Sequence, residues 1–348
     1  SNKIKEYVKR VKELGMNSAA ITDHGNMFGI KELTDYVNKK NKDVDGEIKN
    51  LKKTIEELKS ADAVDQEALS KAETALKEAE SKIFTPIIGC EMYVADNDMT
   101  DRSNKKDIGR HLIVLAKNQH GYHNLIKLVS NAWTDGYYYH PRTDKKQLEK
   151  YHEDLIVCSA CLGGEVPKLI TAGHIEEAEK SILWFKKVFG EDYYLELQRH
   201  KATVARANQE AYPLQQEVNK VLIEMSKKHN IKLVCTNDVH FVNEEDAEAH
   251  DRLICVSTGT FLDDDKRMLY TKQEWMKTQE EMNELFADAS CGRIMRIKGF
   301  TSDGNGWLEL NASRDAMTLK PIAKAQEVII VIGEQLNRAA IEAHWKEV

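Results

Sequence analysis

Seven titratable side chains in this sequence stand at or beside apolar, strand-like runs. Asp23 and His24 are adjacent and follow Ser18-Ala-Ala-Ile-Thr22, and Glu91 follows a Gly-Cys pair. His111 opens the run His111-Leu-Ile-Val-Leu115, Cys161 lies in Ser159-Ala-Cys-Leu-Gly-Gly164, and Asp238 and His240 are two apart. In extended backbone, residues two apart face the same way, so Asp238 and His240 can serve one site. A mixture of imidazole, carboxylate and a single thiolate suits zinc, manganese or iron. Several such ions sharing carboxylates can activate a water and neutralise a phosphate ester under attack. Any one of these histidines, taken alone, is more often a surface or hydrogen-bonded core residue. Taken as a set, each beside an apolar run, they point to a metal site.

The elements that must position them alternate between strand and helix. Ile4 to Leu14 has helical spacing and stops at Gly15. Strands are expected at 18–22, 86–94, 111–115, 155–157, 194–197 and 232–235, with amphipathic helices at 122–132, 175–189 and 208–229. Such alternation implies an α/β layered or barrel fold with a parallel sheet, whose reactive residues collect where strands end. Residues 41–82 break the pattern: they contain no aromatic residue, and two apolar stripes (Ile48, Leu51, Ile55, Leu58; Leu69, Ala72, Leu76, Ala79) flank a polar link at 60–65. This reads as an inserted hairpin of two antiparallel helices. A solvated surface decoration is the favoured reading over a docking arm.

Bulk properties narrow the function. The chain has 348 residues, 41% hydrophobic content and a net charge of −7. No apolar run is long enough to cross a membrane and no signal-peptide pattern opens the chain, so a cytoplasmic protein is expected. The acidic balance argues against strong unaided duplex binding. Six cysteines are scattered through mostly apolar stretches, which favours buried reduced thiols; the lone C-x-x-C of Cys158 and Cys161 is a weak zinc or redox signal. Clustered aromatics (Trp133, Tyr137, Tyr138, Tyr139) read as packing before base stacking, Arg142 as a conceivable phosphate contact, and His120, His200 and His250 as structural.

Longer motifs carry a family resemblance. Ala19-Ala-Ile-Thr-Asp-His-Gly-Asn-Met-Phe-Gly29, Pro86-Ile-Ile-Gly-Cys-Glu-Met-Tyr-Val94, His111-Leu-Ile-Val-Leu-Ala-Lys-Asn118, Leu155-Ile-Val-Cys-Ser-Ala-Cys-Leu-Gly-Gly-Glu165 and Cys235-Thr-Asn-Asp-Val-His-Phe241 resemble successive motifs of the PHP domain of bacterial DNA polymerase III alpha subunits. Tyr137-Tyr-Tyr-His-Pro141, Asp246-Ala-Glu-Ala-His-Asp251, Thr258-Gly-Thr260 and Glu274-Trp-Met-Lys-Thr-Gln-Glu-Glu-Met282 continue it, so the resemblance is colinear over 1–289. It implies a distorted seven-stranded β/α barrel with Asp23, His24, Glu91, His111, Cys161, Asp238 and His240 as metal ligands. Divalent cations, zinc or manganese first and up to a multinuclear cluster, are the implied cofactors. The implied activity is a metal-dependent phosphoesterase or 3′–5′ exonuclease. The alternatives are a scaffold that docks the proofreading exonuclease and a phosphatase of small phosphate esters. DNA and other replicase subunits are the implied partners. The family's opening His-x-His motif is expected just before Ser1, and Ser1-Asn2 reads as a tag remnant, so fewer ligands and no first strand are expected here.

After Ala289 that resemblance stops. Residues 293–300 read as a strand, 302–306 as a turn, Trp307-Leu-Glu-Leu310 as the returning strand, and 327–332 with 334–345 as a strand and helix. This α+β module over 291–348 resembles the C-terminal domain of CobW-type GTPases, chiefly in Arg296-Ile-Lys-Gly-Phe300 and Val331-Ile-Gly-Glu-Gln-Leu-Asn-Arg338. No G-x-x-x-x-G-K-[ST] loop accompanies it, so no catalysis is assigned to the tail.

Overall fold

The computed structural model describes residues 2–61 and 65–286, together with the strands at 307–313 and 316–322. In chain order the elements are α1 (Ile4–Glu13), β1 (Ser18–Ile21), α2 (Ile30–Lys59), α3 (Gln66–Ser81), β2 (Thr85–Val94), β3 (Arg110–Ala116), α4 (Gln119–Thr134), β4 (Tyr137–Tyr138), β5 (His140–Thr143) and α5 (Lys145–Lys150). They continue with β6 (Leu155–Cys158), α6 (Glu165–Thr171), α7 (Ile175–Phe189), β7 (Tyr193–Gln198), α8 (Ala211–His229), β8 (Lys232–Thr236), α9 (Ala247–Thr258), α10 (Gln279–Leu285), β9 (Trp307–Ser313) and β10 (Ala316–Ile322).

Eight strands form one curled sheet in the order β4-β5-β2-β3-β6-β7-β8, with β1 also paired to β2. β1 lies parallel to the first half of β2 (Ser18 opposite Thr85), and β5 lies parallel to its last two residues. The result is a half-barrel, in keeping with a distorted barrel; among the described residues no ladder joins β8 to β1.

One expectation needs correction: the sheet is mixed, not parallel. β3 runs antiparallel to both β2 and β6, whereas β6, β7 and β8 are parallel neighbours. The reason is local. Parallel neighbours need a crossover connection, usually a helix, and no helix lies between β2 and β3. The chain therefore turns back, and the start of β3 sits where β2 ends, with His111 opposite Tyr93.

Strand alternation sorts the side chains. On β2 and β3, Ile88, Cys90, Met92, Leu112 and Val114 join the large core under the helices, while Ile87, Ile113 and Leu115 line the concave inner face. By the same period Glu91, Tyr93 and His111 face inward. A third cluster seals the β1 side, where Tyr7, Val8 and Val11 of α1 pack on Leu33, Val37 and Phe84.

The helical insertion also differs from expectation. No break falls at residue 41: α2 runs unbroken from Ile30 to Lys59, and only its distal part pairs with α3 as the arm. Asn41 closes the base, its side-chain amide donating to the Phe84 carbonyl at 2.8 Å while its oxygen accepts the Phe84 N–H at 3.0 Å. Trp307–Leu310 does form a strand, within β9, and its described partner is β10, with Trp307 opposite Ile322. The segments 293–300 and 327–345 lie outside the described residues.

Candidate metal centre

The first wall of the site comes from the continuation of β1 past its end. The Glu91 N–H donates to the Asp23 carbonyl at 3.1 Å and the Gly25 N–H donates to the Glu91 carbonyl at 2.8 Å, so His24 lies beside Glu91. Gly25 permits this turn: its φ is +65°, and a Cβ there would stand 2.6 Å from Pro141 Cγ. The second wall is the turn after β6. The His111 N–H donates to the Gly163 carbonyl at 3.1 Å, and a Cβ on Gly163 would stand 2.7 Å from His111 Nδ1. Glycine is therefore required for the turn to clasp the imidazole.

Four of the seven side chains meet at this point. His111 Nδ1 lies 2.7 Å from Glu91 Oε1, and His24 Nε2 lies 3.7 Å from Glu91 Oε2. Cys161 Sγ is 3.3 Å from His111 Nδ1 and 3.9 Å from Glu91 Oε1. His240 approaches from the opposite rim, its ring centroid 6.0 Å from that of His24. Its Nδ1 is 2.7 Å from the Asp238 carbonyl and its Nε2 is 3.3 Å from the Tyr270 hydroxyl. Asp238 sits in left-handed backbone, φ 44°, beside His240. Asp23 is turned aside: its Oδ2 accepts the Gly29 N–H at 3.4 Å, at the start of α2.

The electrostatics follow from this packing. Burial alone would raise the Glu91 carboxyl, but the His111 hydrogen bond and the charges of His24, His111 and His240 hold it below the usual carboxylate range. Burial raises the Asp238 and Asp23 carboxyls. His240 is raised despite burial, because Asp238 stands beside it. Burial, with the negative charges of Glu91 and Asp238, pushes the Cys161 thiol well up. A cation would displace the proton of the Cys161 thiol, whereas the Glu91 carboxylate is already in the ionised form that binds one.

The donor set fits a divalent cation. The candidate atoms of His24, Glu91 and His111 all lie within 4.8 Å of one another. Two ligands of one tetrahedral zinc stand roughly 3.3–3.8 Å apart, given bonds of about 2.0–2.3 Å. The His24–Glu91 and Cys161–His111 separations of 3.7 and 3.3 Å match that spacing, whereas His111 Nδ1 and Glu91 Oε1, hydrogen-bonded at 2.7 Å, must part to share a cation. Nitrogen, oxygen and sulfur together suit a borderline cation.

Three residues absent from the sequence-based set stand at the same rim. Tyr93 stacks on His140, centroids 4.4 Å apart, and meets His111 edge-on at 5.3 Å. Burial pushes the Tyr93 phenol up to about 12. Tyr270 contacts His240 as above. Tyr93 was detectable, since it follows Glu91 by two on one strand; His140 opens β5, which pairs with the end of β2, and Tyr270 comes from a segment thirty residues past His240, so neither was placed by local spacing.

Other readings are corrected or placed. Arg142 meets no phosphate: it is fully buried and donates to the carbonyls of Asp107 (2.9 Å), Met99 (3.0 Å), Asp101 (2.8 Å) and Gly136 (3.3 Å). Cys158 is buried in the inner apolar cluster, so the C-x-x-C does not act as a pair. His200 is buried between Gln215 and the Asn237 carbonyl, His120 pairs with Asp154, and His250 packs on Tyr270, its imidazole pushed down to about 4 by burial. Of the aromatics, Tyr138 packs over the Arg142 guanidinium, whereas Phe28, Trp133 and Tyr137 form an exposed row beside the His24 loop. Trp133 Nε1 donates to the Gly25 carbonyl at 2.8 Å.

A curled α/β sheet with imidazole, carboxylate and thiol groups on its rim agrees with what comparison with known proteins finds. The PHP domain family matches residues 1–200, more than half of the chain, and the chain belongs to that family. It is similar to DNA polymerase III subunit alpha of Borreliella burgdorferi, with 39% identity over 292 residues, covering 82% of this chain and 21% of that protein. The corresponding subunits of Campylobacter jejuni and Thermus aquaticus are 36% and 35% identical, each covering 83% of this chain and 20% of the relative. The chain thus spans about a fifth of the length of these relatives. Among the described residues no helix is long and apolar enough to cross a membrane.

Proposed function

We propose that this chain is the PHP portion of a DNA polymerase III alpha subunit, acting in DNA replication in the bacterial cytoplasm. Its rim binds divalent cations, zinc or manganese, and hydrolyses the phosphodiester at a DNA 3′ end. The observation that carries this reading is the convergence of His24, Glu91, His111 and Cys161 within contact distance at the mouth of the half-barrel. Asp238 and His240 complete the set from the facing rim. Asp23 supports it through its backbone and its contact with Gly29. The PHP unit extends over 1–289 with the arm at 41–82 as a surface insertion, and 291–348 is a separate CobW-like module.

Bound cations would supply Lewis acidity toward a phosphoryl oxygen and a lowered pKa for a water. The residues do the rest. Glu91, held ionised by its histidines, supplies the central anionic oxygens. His24, whose side chain is 39% exposed, is the candidate ligand open to a substrate entering from solvent. His240 is fixed by its Nδ1 on the Asp238 carbonyl, which leaves Nε2, beside the Tyr270 hydroxyl, as the nitrogen that could face a cation. Half-buried Tyr93, its phenol pushed up to about 12, keeps its proton at neutral pH, so its hydroxyl remains a donor at the rim.

A second reading has its own observation. Phe28 is 80% exposed and Tyr137 and Trp133 about half exposed in one row, a surface that another replicase subunit, such as a proofreading exonuclease, would cover. Elemental analysis and release of a labelled 3′ nucleotide, with Asp238 and His240 both changed to Ala as control, test the hydrolytic reading. Metal at one equivalent or more, with release lost in the double variant, supports it. Hydrolysis of a small phosphomonoester but not of DNA replaces it with a phosphatase. Metal without hydrolysis leaves the docking reading.

A further inference from the structure

Below the rim lies a carboxylate that neither the motifs nor the proposed chemistry uses. Glu196 is on the inward face of β7 and is 4% exposed. Its Oε2 accepts the Ala160 N–H at 3.1 Å, and its Oε1 accepts the Gln198 side-chain amide at 3.0 Å and the Thr236 hydroxyl. Its own N–H donates to Ser159 Oγ at 2.8 Å. Two of these partners matter for the rim. Ala160 precedes Cys161 and holds a left-handed φ of 62°, a conformation that a non-glycine residue keeps only when its surroundings enforce it. Thr236 ends β8, two residues before Asp238, which is itself left-handed at 44°. One side chain therefore ties the turn that carries the thiol to the strand end that carries the carboxylate.

A leucine of similar volume would avoid the desolvation cost of a buried carboxyl, which burial pushes up to about 7; what the carboxylate alone supplies is one acceptor shared by the Cys161 turn and the end of β8. We infer that Glu196 is a positioning residue for the proposed metal centre: it holds Cys161 and Asp238 where a cation shared with Glu91 and His111 needs them, and binds neither cation nor substrate itself. The inference rests on the metal-site reading above. It accounts for two left-handed residues, Ala160 and Asp238, one next to a candidate ligand and the other itself one.

The test compares the full chain with its Glu196→Ala and Glu196→Gln variants, each checked for folding by circular dichroism. Cobalt(II) is the probe, read by its thiolate-to-metal absorption band, and Cys161 alkylation by iodoacetamide is measured in the metal-free protein by peptide mapping. Glu196→Ala is expected to weaken cobalt binding about 10–100-fold with loss of the thiolate band. It should also speed Cys161 alkylation. Glu196→Gln keeps an oxygen for the Ala160 N–H and, once the Gln198 amide turns over to present its oxygen, an amide for Gln198 and Thr236, and is expected to restore both readouts close to wild type. Unchanged affinity, band and alkylation in Glu196→Ala overturn the inference. If the wild-type chain binds no cobalt, the metal-site reading fails, and the alkylation rates alone decide whether Glu196 positions Cys161. Should Glu196→Ala not fold, Thr236→Val removes only the tie to β8: lower cobalt affinity with the thiolate band retained supports the inference, and unchanged affinity overturns it.

Discussion

The rim of the half-barrel and the helical arm use the same charged residue types to opposite ends. On the arm, Lys71 and Glu67 pair at 2.6 Å with side chains 75% and 80% exposed, and Lys59–Glu73 and Lys52–Glu80 link α2 to α3 at half-exposed positions. Exposed pairs of this kind are each worth less than about 0.5 kcal/mol, because water screens them and both side chains lose freedom. At the rim, Glu91 is 4% exposed between two imidazoles and a thiol, and Arg142 is wholly buried among four carbonyls and the Asp107 carboxylate. These two side chains are shielded from solvent, so removing a partner leaves the other group buried and unpaired. Charge on the arm stays solvated, whereas charge at the rim is buried and paired.

The largest effect that would sharpen this contrast is on stability. Arg142→Met removes donors to four carbonyls and strands Asp107, and is expected to cost about 3–5 kcal/mol in urea unfolding. A loss below 1 kcal/mol would mean that the rim tolerates charge removal as the arm does. Next, Glu91→Gln keeps the shape of the side chain but removes its charge, and cobalt or zinc affinity should fall at least about 100-fold, read by competition with a chromogenic chelator. Unchanged affinity would remove Glu91 from the centre.

The pH dependence of Glu196 comes third. Its native pKa, pushed up to about 7 from an ordinary 4.5, means that the folded state holds the proton more tightly than the unfolded state does. This stabilisation is fully present below pH 4.5 and is lost as pH rises toward about 7. With chelator present, wild type should lose on the order of 3 kcal/mol relative to Glu196→Gln across that window. Parallel pH profiles for the two proteins would show that Glu196 is ionised throughout.

Smaller still, Gly163→Ala places a methyl 2.7 Å from His111 Nδ1, and should reduce metal affinity about tenfold while shifting the melting temperature little. Least of all, replacing residues 48–80 by a short glycine-rich link should leave metal content unchanged and melting within a few degrees. The base of the arm survives that excision: Asn41 still holds Phe84, and Lys82 and Glu47 already approach to 4.0 Å. A large loss of metal on excision would join the two regions that the structure separates.

Local pattern carried most of the fold. Apolar runs bounded by glycine and polar residues placed every strand that bears a candidate ligand, because burial on a pleated sheet demands them, and α7 matches its expected span at Ile175–Phe189. The motifs around Asp23-His24, Glu91, His111, Cys161 and Asp238-Val-His240 marked the family for the same reason: each is a contiguous stretch. What contiguous stretches could not specify was direction and distance. Whether β3 returned or crossed over was decided by pairing, and that choice puts His111, the first inward residue of its strand, on the rim where the parallel strands end. Only packing could turn Asp23 toward Gly29 and Arg142 into the core, or bring Tyr270 to His240 and Glu196 under two loops. Chemistry-bearing residues and their elements are local properties of the chain. Which of them share a cation-sized space depends on contacts between residues tens to hundreds of positions apart, and those exist only once the sheet has curled.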